Sequence, residues 1–92
     1  MPGMRRTITE NLCERGLKLM LARGKDREKF VAVAYLLAHD GRVTSAYRPH
    51  KLHGQWAGHW ECHIESDWIL VYKITDAEVI LARTGTHADL FE

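Results

Sequence analysis

"HWECHIESDWILVYK", residues 59–73, decides the fold. Successive strand side chains point to opposite faces, so Trp60, Cys62 and Ile64 share one side. Glu61, His63 and Glu65 then share the other. Glu65-Ser66 reads as a turn. "WILVYKI", residues 68–74, is apolar on both faces, which suits a central strand. After Thr75-Asp76-Ala77, "EVILART" supplies its neighbour. Residues 58–64, 67–74 and 78–84 thus form an antiparallel meander.

Upstream, the period changes. "MRRTIT", residues 4–9, is a short β-prone opening, and Thr7 with Glu10 fits a capping box. Leu12, Cys13, Gly16, Leu17, Met20 and Leu21 recur at helical spacing, with Gly24 as the stop. Asp26 caps a second helix whose Phe30, Val33, Ala34 and Leu37 form an apolar stripe ended by Asp40-Gly41. The expectation is one α+β domain over residues 1–92. Two N-terminal helices pack on a twisted antiparallel sheet of four to five strands and leave its other face partly open.

Composition agrees: 92 residues, 46% apolar and 27% charged, suit a single globular core. No apolar run approaches the roughly 20 residues that cross a bilayer. The opening "MPGMRRTITE" has no apolar segment after its arginines, so no signal peptide is expected. Cys13 and Cys62 are too few for a disulfide framework and read as buried thiols of a reducing cytoplasm. Net charge is only +1, but residues 1–51 hold 11 Lys/Arg against 5 Asp/Glu, and residues 52–92 hold 2 against 7. Either the basic half meets an anionic partner, or it pairs with the acidic strands.

The open face carries the chemistry. His63 points there, Asp67 opens the next strand, and Arg83 and His87 flank the end of the last. Gly85 allows a tight turn that folds His87 back, and His50 lies upstream in a loop-like stretch. Histidines, an aspartate and an arginine without a neighbouring Ser or Cys nucleophile suit acid–base cleavage of a phosphodiester. Histidine titrates near neutrality and fits both proton transfers. Each residue also has an ordinary alternative: a solvated histidine, a turn aspartate, an arginine paired with Glu61 or Glu65. No metal site is expected, because the His pairs at 50/53 and 59/63 lie in a loop and a strand rather than on a helix.

"HKLHGQWAGHWECHIESDWILVYKI" followed by "RTGTHADLF" resembles the YafQ branch of the RelE/ParE toxin superfamily, over residues 47–92. The resemblance implies the same α+β microdomain and a ribosome-dependent, metal- and cofactor-independent endoribonuclease cutting translated mRNA. It implies catalysis by His50, His63, Asp67 and His87, with His87 as acid and Asp67 or His63 as base. Arg83 would stabilise the phosphate, and Trp68 and Phe91 would position substrate or support the site. Lys51, beside His50, is read as a further substrate contact. Implied partners are a cognate antitoxin, the ribosome with its mRNA, and operator DNA only through the antitoxin complex, all cytoplasmic and without a membrane. Basic residues Arg15, Lys18, Arg23, Lys25, Arg27 and Lys29 are the candidate ribosomal RNA surface. The alternatives are a ParE-like module inhibiting a protein such as DNA gyrase, and a non-cleaving relic that binds only antitoxin.

Overall fold

The computed structural model describes residues 3–91. Strand β1 (Arg6–Thr9) leads into helices α1 (Asn11–Ala22) and α2 (Arg27–Asp40). Strands β2 (His50–Lys51), β3 (Trp60–Glu65), β4 (Trp68–Ile74) and β5 (Glu78–Gly85) follow, and α3 (His87–Phe91) closes the described chain. Short 3-10 turns over Ser45–Tyr47 and Gly54–Trp56 flank β2. The sheet order is β1-β5-β4-β3-β2. β2 to β5 form the expected antiparallel meander. β1 instead pairs parallel to β5, Thr7 opposite Val79, so the sheet is mixed. The α1–α2 crossover between β1 and the meander makes that parallel pairing possible.

α1 buries Cys13, Leu17 and Met20, and α2 buries Phe30, Val33, Leu37 and Ala38 against Cys62, Ile64, Trp68, Leu70, Tyr72, Val79 and Leu81. Each such aliphatic side chain contributes about 1.5–3 kcal/mol by leaving water. Gly16 is forced by close approach: a Cβ there would lie 2.0 Å from the Thr84 carbonyl oxygen, so α1 rests directly on the β5 backbone. Trp68 is fully buried, its ring 6.4 Å from that of Phe30. Its Nε1–H donates to Thr84 Oγ1 at 2.9 Å, and that hydroxyl donates to the Ile69 carbonyl at 2.8 Å. The buried indole N–H and the Thr84 hydroxyl are thereby satisfied. Burial pushes the Cys13 and Cys62 thiols up to about 12 and raises the Tyr72 phenol.

Asp26 accepts from the Glu28 N–H at the start of α2, and Gly41, at φ +74, ends it, both as expected. The Thr7–Glu10 capping box does not form. Thr7 is held in β1 by pairing with β5, and Glu10 occupies the N-cap of α1 without a side-chain hydrogen bond. A register shift between His63 and Glu65 also breaks the expected alternation. Glu65 comes to lie opposite Trp68, on the helix side, where it accepts from Lys25 and Lys29, each at 2.7 Å. Those two ammonium groups hold its carboxyl below the usual range.

Candidate active site

Directly opposed residues of antiparallel strands share a face. The register therefore sets His50, Glu61, Val71 and Arg83 in one row across β2, β3, β4 and β5, on the face away from α1 and α2. With strands about 4.8 Å apart, the row spans about 14 Å. A neighbouring row holds His63, Ile69 and Gly85. The floor is a small second core of Ile69, Val71 and Ala82, against which Leu52, Trp56, Leu90 and Phe91 pack.

Asp67 and His87 meet at one end of this face. The β3–β4 turn exposes Asp67, and its Oδ1 accepts from the His87 backbone N–H at 3.0 Å. A reciprocal cap holds α3: Thr86 N–H donates to Asp89 Oδ2 at 2.9 Å, and Asp89 N–H donates to Thr86 Oγ1 at 3.1 Å. Arg23, at the end of α1, adds a two-pronged contact to Asp89 at 2.7 and 3.2 Å. The guanidinium and the Thr86 amide hold the Asp89 carboxyl far below the usual carboxylate range. His87 thus sits on a short helix pinned from three directions, with its ring 5.3 Å from that of Phe91. The signal for this cap lies in the sequence itself, T-H-A-D at 86–89, a capping-box spacing ahead of Leu90 and Phe91. Gly85 makes no left-handed turn; it is needed because a Cβ there would lie 2.9 Å from Asp89 Cβ.

His63 is anchored within its own turn. Its Nδ1 lies 3.0 Å from the Ser66 carbonyl oxygen and 3.5 Å from Arg48 Nη2. A carbonyl only accepts and a guanidinium only donates, so Nδ1 can satisfy one of them. The shorter contact makes Nδ1 the N–H donor to Ser66. The other ring nitrogen, Nε2, lies 3.6 Å from Glu61 Oε2. Arg83 is half-buried, with Nη2 3.5 Å from the Asp89 carbonyl oxygen. His50, His63, Asp67, Arg83, His87 and Phe91 therefore share one face or its rim.

Two expected substrate contacts lie elsewhere. Trp68 is enclosed on the helix side, so it supports the strand that carries the floor rather than touching a ligand. Lys51 is opposite Trp60, in the row that continues to the buried Tyr72, and its Nζ lies 5.7 Å from the Trp60 ring. Its position one residue after His50 turns it to the opposite face. Among the described residues, no group of three or more His, Cys, Asp or Glu side chains is placed to hold a metal. Arg23, Lys25 and Lys29 are engaged by Asp89 and Glu65. The pairing reading of the charge asymmetry therefore holds for these three, while Arg15, Lys18 and Arg27 are exposed and lie outside ion-pair distance of the described carboxylates. No helix among the described residues is long and apolar enough to cross a membrane.

Comparison with known proteins places this geometry. Residues 5–92 match the family described as "Bacterial toxin of type II toxin-antitoxin system, YafQ". The mRNA interferase toxin YafQ of Escherichia coli K12 is 42% identical over 76 residues, 82% of this chain and 83% of that protein. The toxin in the crystal structure of the E. coli DinJ–YafQ toxin–antitoxin complex is 36% identical with a TM-score of 0.88, covering 98% of this chain and all of that one. A metal-bound toxin from Helicobacter pylori is 30% identical with a TM-score of 0.87, over 96% of this chain and all of that one. The chain belongs to the YafQ family of toxins of bacterial type II toxin–antitoxin systems.

Proposed function

We propose that this toxin is an mRNA interferase, an endoribonuclease that cuts translated mRNA on the ribosome by metal-independent acid–base catalysis. The observation that carries the reading is the shared face of His50, His63, Asp67, Arg83 and His87, in a chain 42% identical to a curated mRNA interferase. A base removes the proton of a ribose 2′-hydroxyl. The oxygen attacks the adjacent phosphorus and forms a 2′,3′-cyclic phosphate. The P–O5′ bond breaks, and an acid protonates the departing 5′-oxygen. His63 is one candidate for the base: its Nδ1–H is committed to Ser66, which leaves Nε2, beside Glu61, as the nitrogen that would exchange the proton. Asp67 is the other candidate, with one oxygen already holding the His87 amide. His87, at the exposed start of α3, is assigned the acid, and Arg83 offsets charge growing on the phosphate.

The partner reading follows the same relatives. A cognate antitoxin would cover this face, as a toxin of this family is found in complex with its antitoxin. Operator DNA would be met only through that complex, and the setting would be cytoplasmic. Of the six candidate cations on α1 and α2, Arg15, Lys18 and Arg27 are the ones not engaged by Asp89 or Glu65, and they are assigned to ribosomal RNA.

The test is mapping of mRNA 5′ ends after brief induction, comparing wild type with His87→Ala. Wild type is expected to produce discrete cuts within translated frames, and the variant about 100-fold fewer or less, the usual loss of one acid–base group. Growth arrest by wild type without new ends would overturn the reading and favour inhibition of a protein target. Equal cutting by both proteins would remove His87 from the chemistry.

A further inference from the structure

The backbone at Arg48 is unusual for its residue type. It is the one non-glycine residue with positive φ among the described residues, at φ 47 and ψ 58. Pro49 follows, and the residue before a proline is pushed towards extended backbone. Arg48 therefore works against two local preferences, and such outliers persist where the surroundings impose them, often at functional sites. The Ser45–Tyr47 turn imposes this one, with the Arg48 N–H donating to the Ser45 carbonyl at 3.0 Å.

The outcome is a guanidinium 3.5 Å from His63 Nδ1. Nδ1 already donates to Ser66, so donor faces donor and the contact is no hydrogen bond. The carboxylate of Glu61 lies at the ring's other nitrogen. Among the described residues Arg48, like Arg15, Lys18 and Arg27, has no acidic partner within ion-pair distance, and unlike them it stands beside a candidate catalytic group. An exposed guanidinium thus stands beside a candidate base, on the side of the ring away from Glu61 and beyond ion-pair distance of the described carboxylates. We propose that Arg48 is a substrate-binding residue whose guanidinium grips an RNA phosphate next to His63. The planar fork matches two phosphate oxygens, which an ammonium does not. This rests on the endoribonuclease reading and adds a binding residue to it.

The backbone supplies a clean variant. Arg48→Gly keeps the left-handed conformation without strain and removes only the side chain. Its melting temperature is expected to equal or exceed that of wild type. Cleavage of mRNA on programmed ribosomes should lose about 10- to 100-fold in kcat/KM, mostly through KM, as for one charge-assisted hydrogen bond. Arg48→Lys should fall between the two. The plot of log(kcat/KM) against log[KCl] at constant magnesium should be shallower by about 0.7 in the glycine variant, the signature of one lost phosphate contact on a single strand. Wild-type kinetics and salt slope in a folded Arg48→Gly protein would overturn the proposal and leave the endoribonuclease reading intact. Failure of wild type itself to cut would overturn both.

Discussion

At the scale of single residues, Asp67 has a structural role beside the chemical one proposed for it. Its carboxylate accepts the first amide of α3, which alone would explain an aspartate in that turn. Asp67→Asn separates the two roles. The amide oxygen can still accept the His87 N–H, so thermal stability should change little. If the carboxylate charge also serves proton transfer or its electrostatics, cleavage should fall by about 10²-fold or more. Melting curves and single-turnover cleavage on the same preparation check this; unchanged cleavage would leave Asp67 a helix anchor only. Trp68 is the contrary case. Tryptophan suits both a stacking platform and a core, and only its register opposite Glu65, on the helix side, resolves which it is. The sequence could not reveal this, because the intervening shift in β3 changes which residues share a face.

At the scale of elements, the site depends on how tightly α1 is seated on β5. Gly16 sits where any side chain would strike the Thr84 carbonyl, and Thr84 also receives the Trp68 indole. Gly16→Ala improves helix propensity by about 1 kcal/mol, yet it forces α1 off the sheet. Overpacking against backbone should outweigh that gain, for a net loss of about 1–3 kcal/mol. Chemical denaturation should show a lower midpoint with little change in slope; a stabilised Ala variant would contradict the packing described. The α2 caps, the apolar stripes and the β3–β5 meander were legible because each rests on neighbours in the chain. The capping box expected at Thr7 was overridden by long-range pairing of β1 with β5, while the one at Thr86 forms as its sequence allows.

At the scale of the whole molecule, α3 is fastened to the opposite end of the chain by Arg23 and Asp89, 66 residues apart. Arg23 and Thr86 depress the Asp89 carboxyl, so its folded pKa lies below the unfolded value. A depressed carboxyl contributes stability above its unfolded pKa, near 3.9, and the contribution is lost as pH falls from about 4 towards the lower folded value. Glu65 between Lys25 and Lys29 acts in the same direction. Stability should therefore fall on acidification below about pH 4. Asp89→Asn should weaken that acid dependence and cost about 1 kcal/mol at pH 7 through the damaged cap, about 4–8 °C in melting temperature. Melting curves from pH 2 to 7 on both proteins test it; identical acid profiles would show that the contact contributes nothing.

The amino-acid sequence alone determined β1, α1, α2, the β3–β5 meander, the two-layer α+β arrangement and the candidate residues, since periodicity, caps and a long motif are local properties of the chain; β2 at His50 and the short α3 were not among them. Tertiary structure decided the rest: the parallel edge strand, the reversal of Glu65, the enclosure of Trp68, the turning away of Lys51 and the arrival of Arg48 at His63. Those depend on register between strands distant in sequence, where a shift of one residue exchanges the two faces of a sheet.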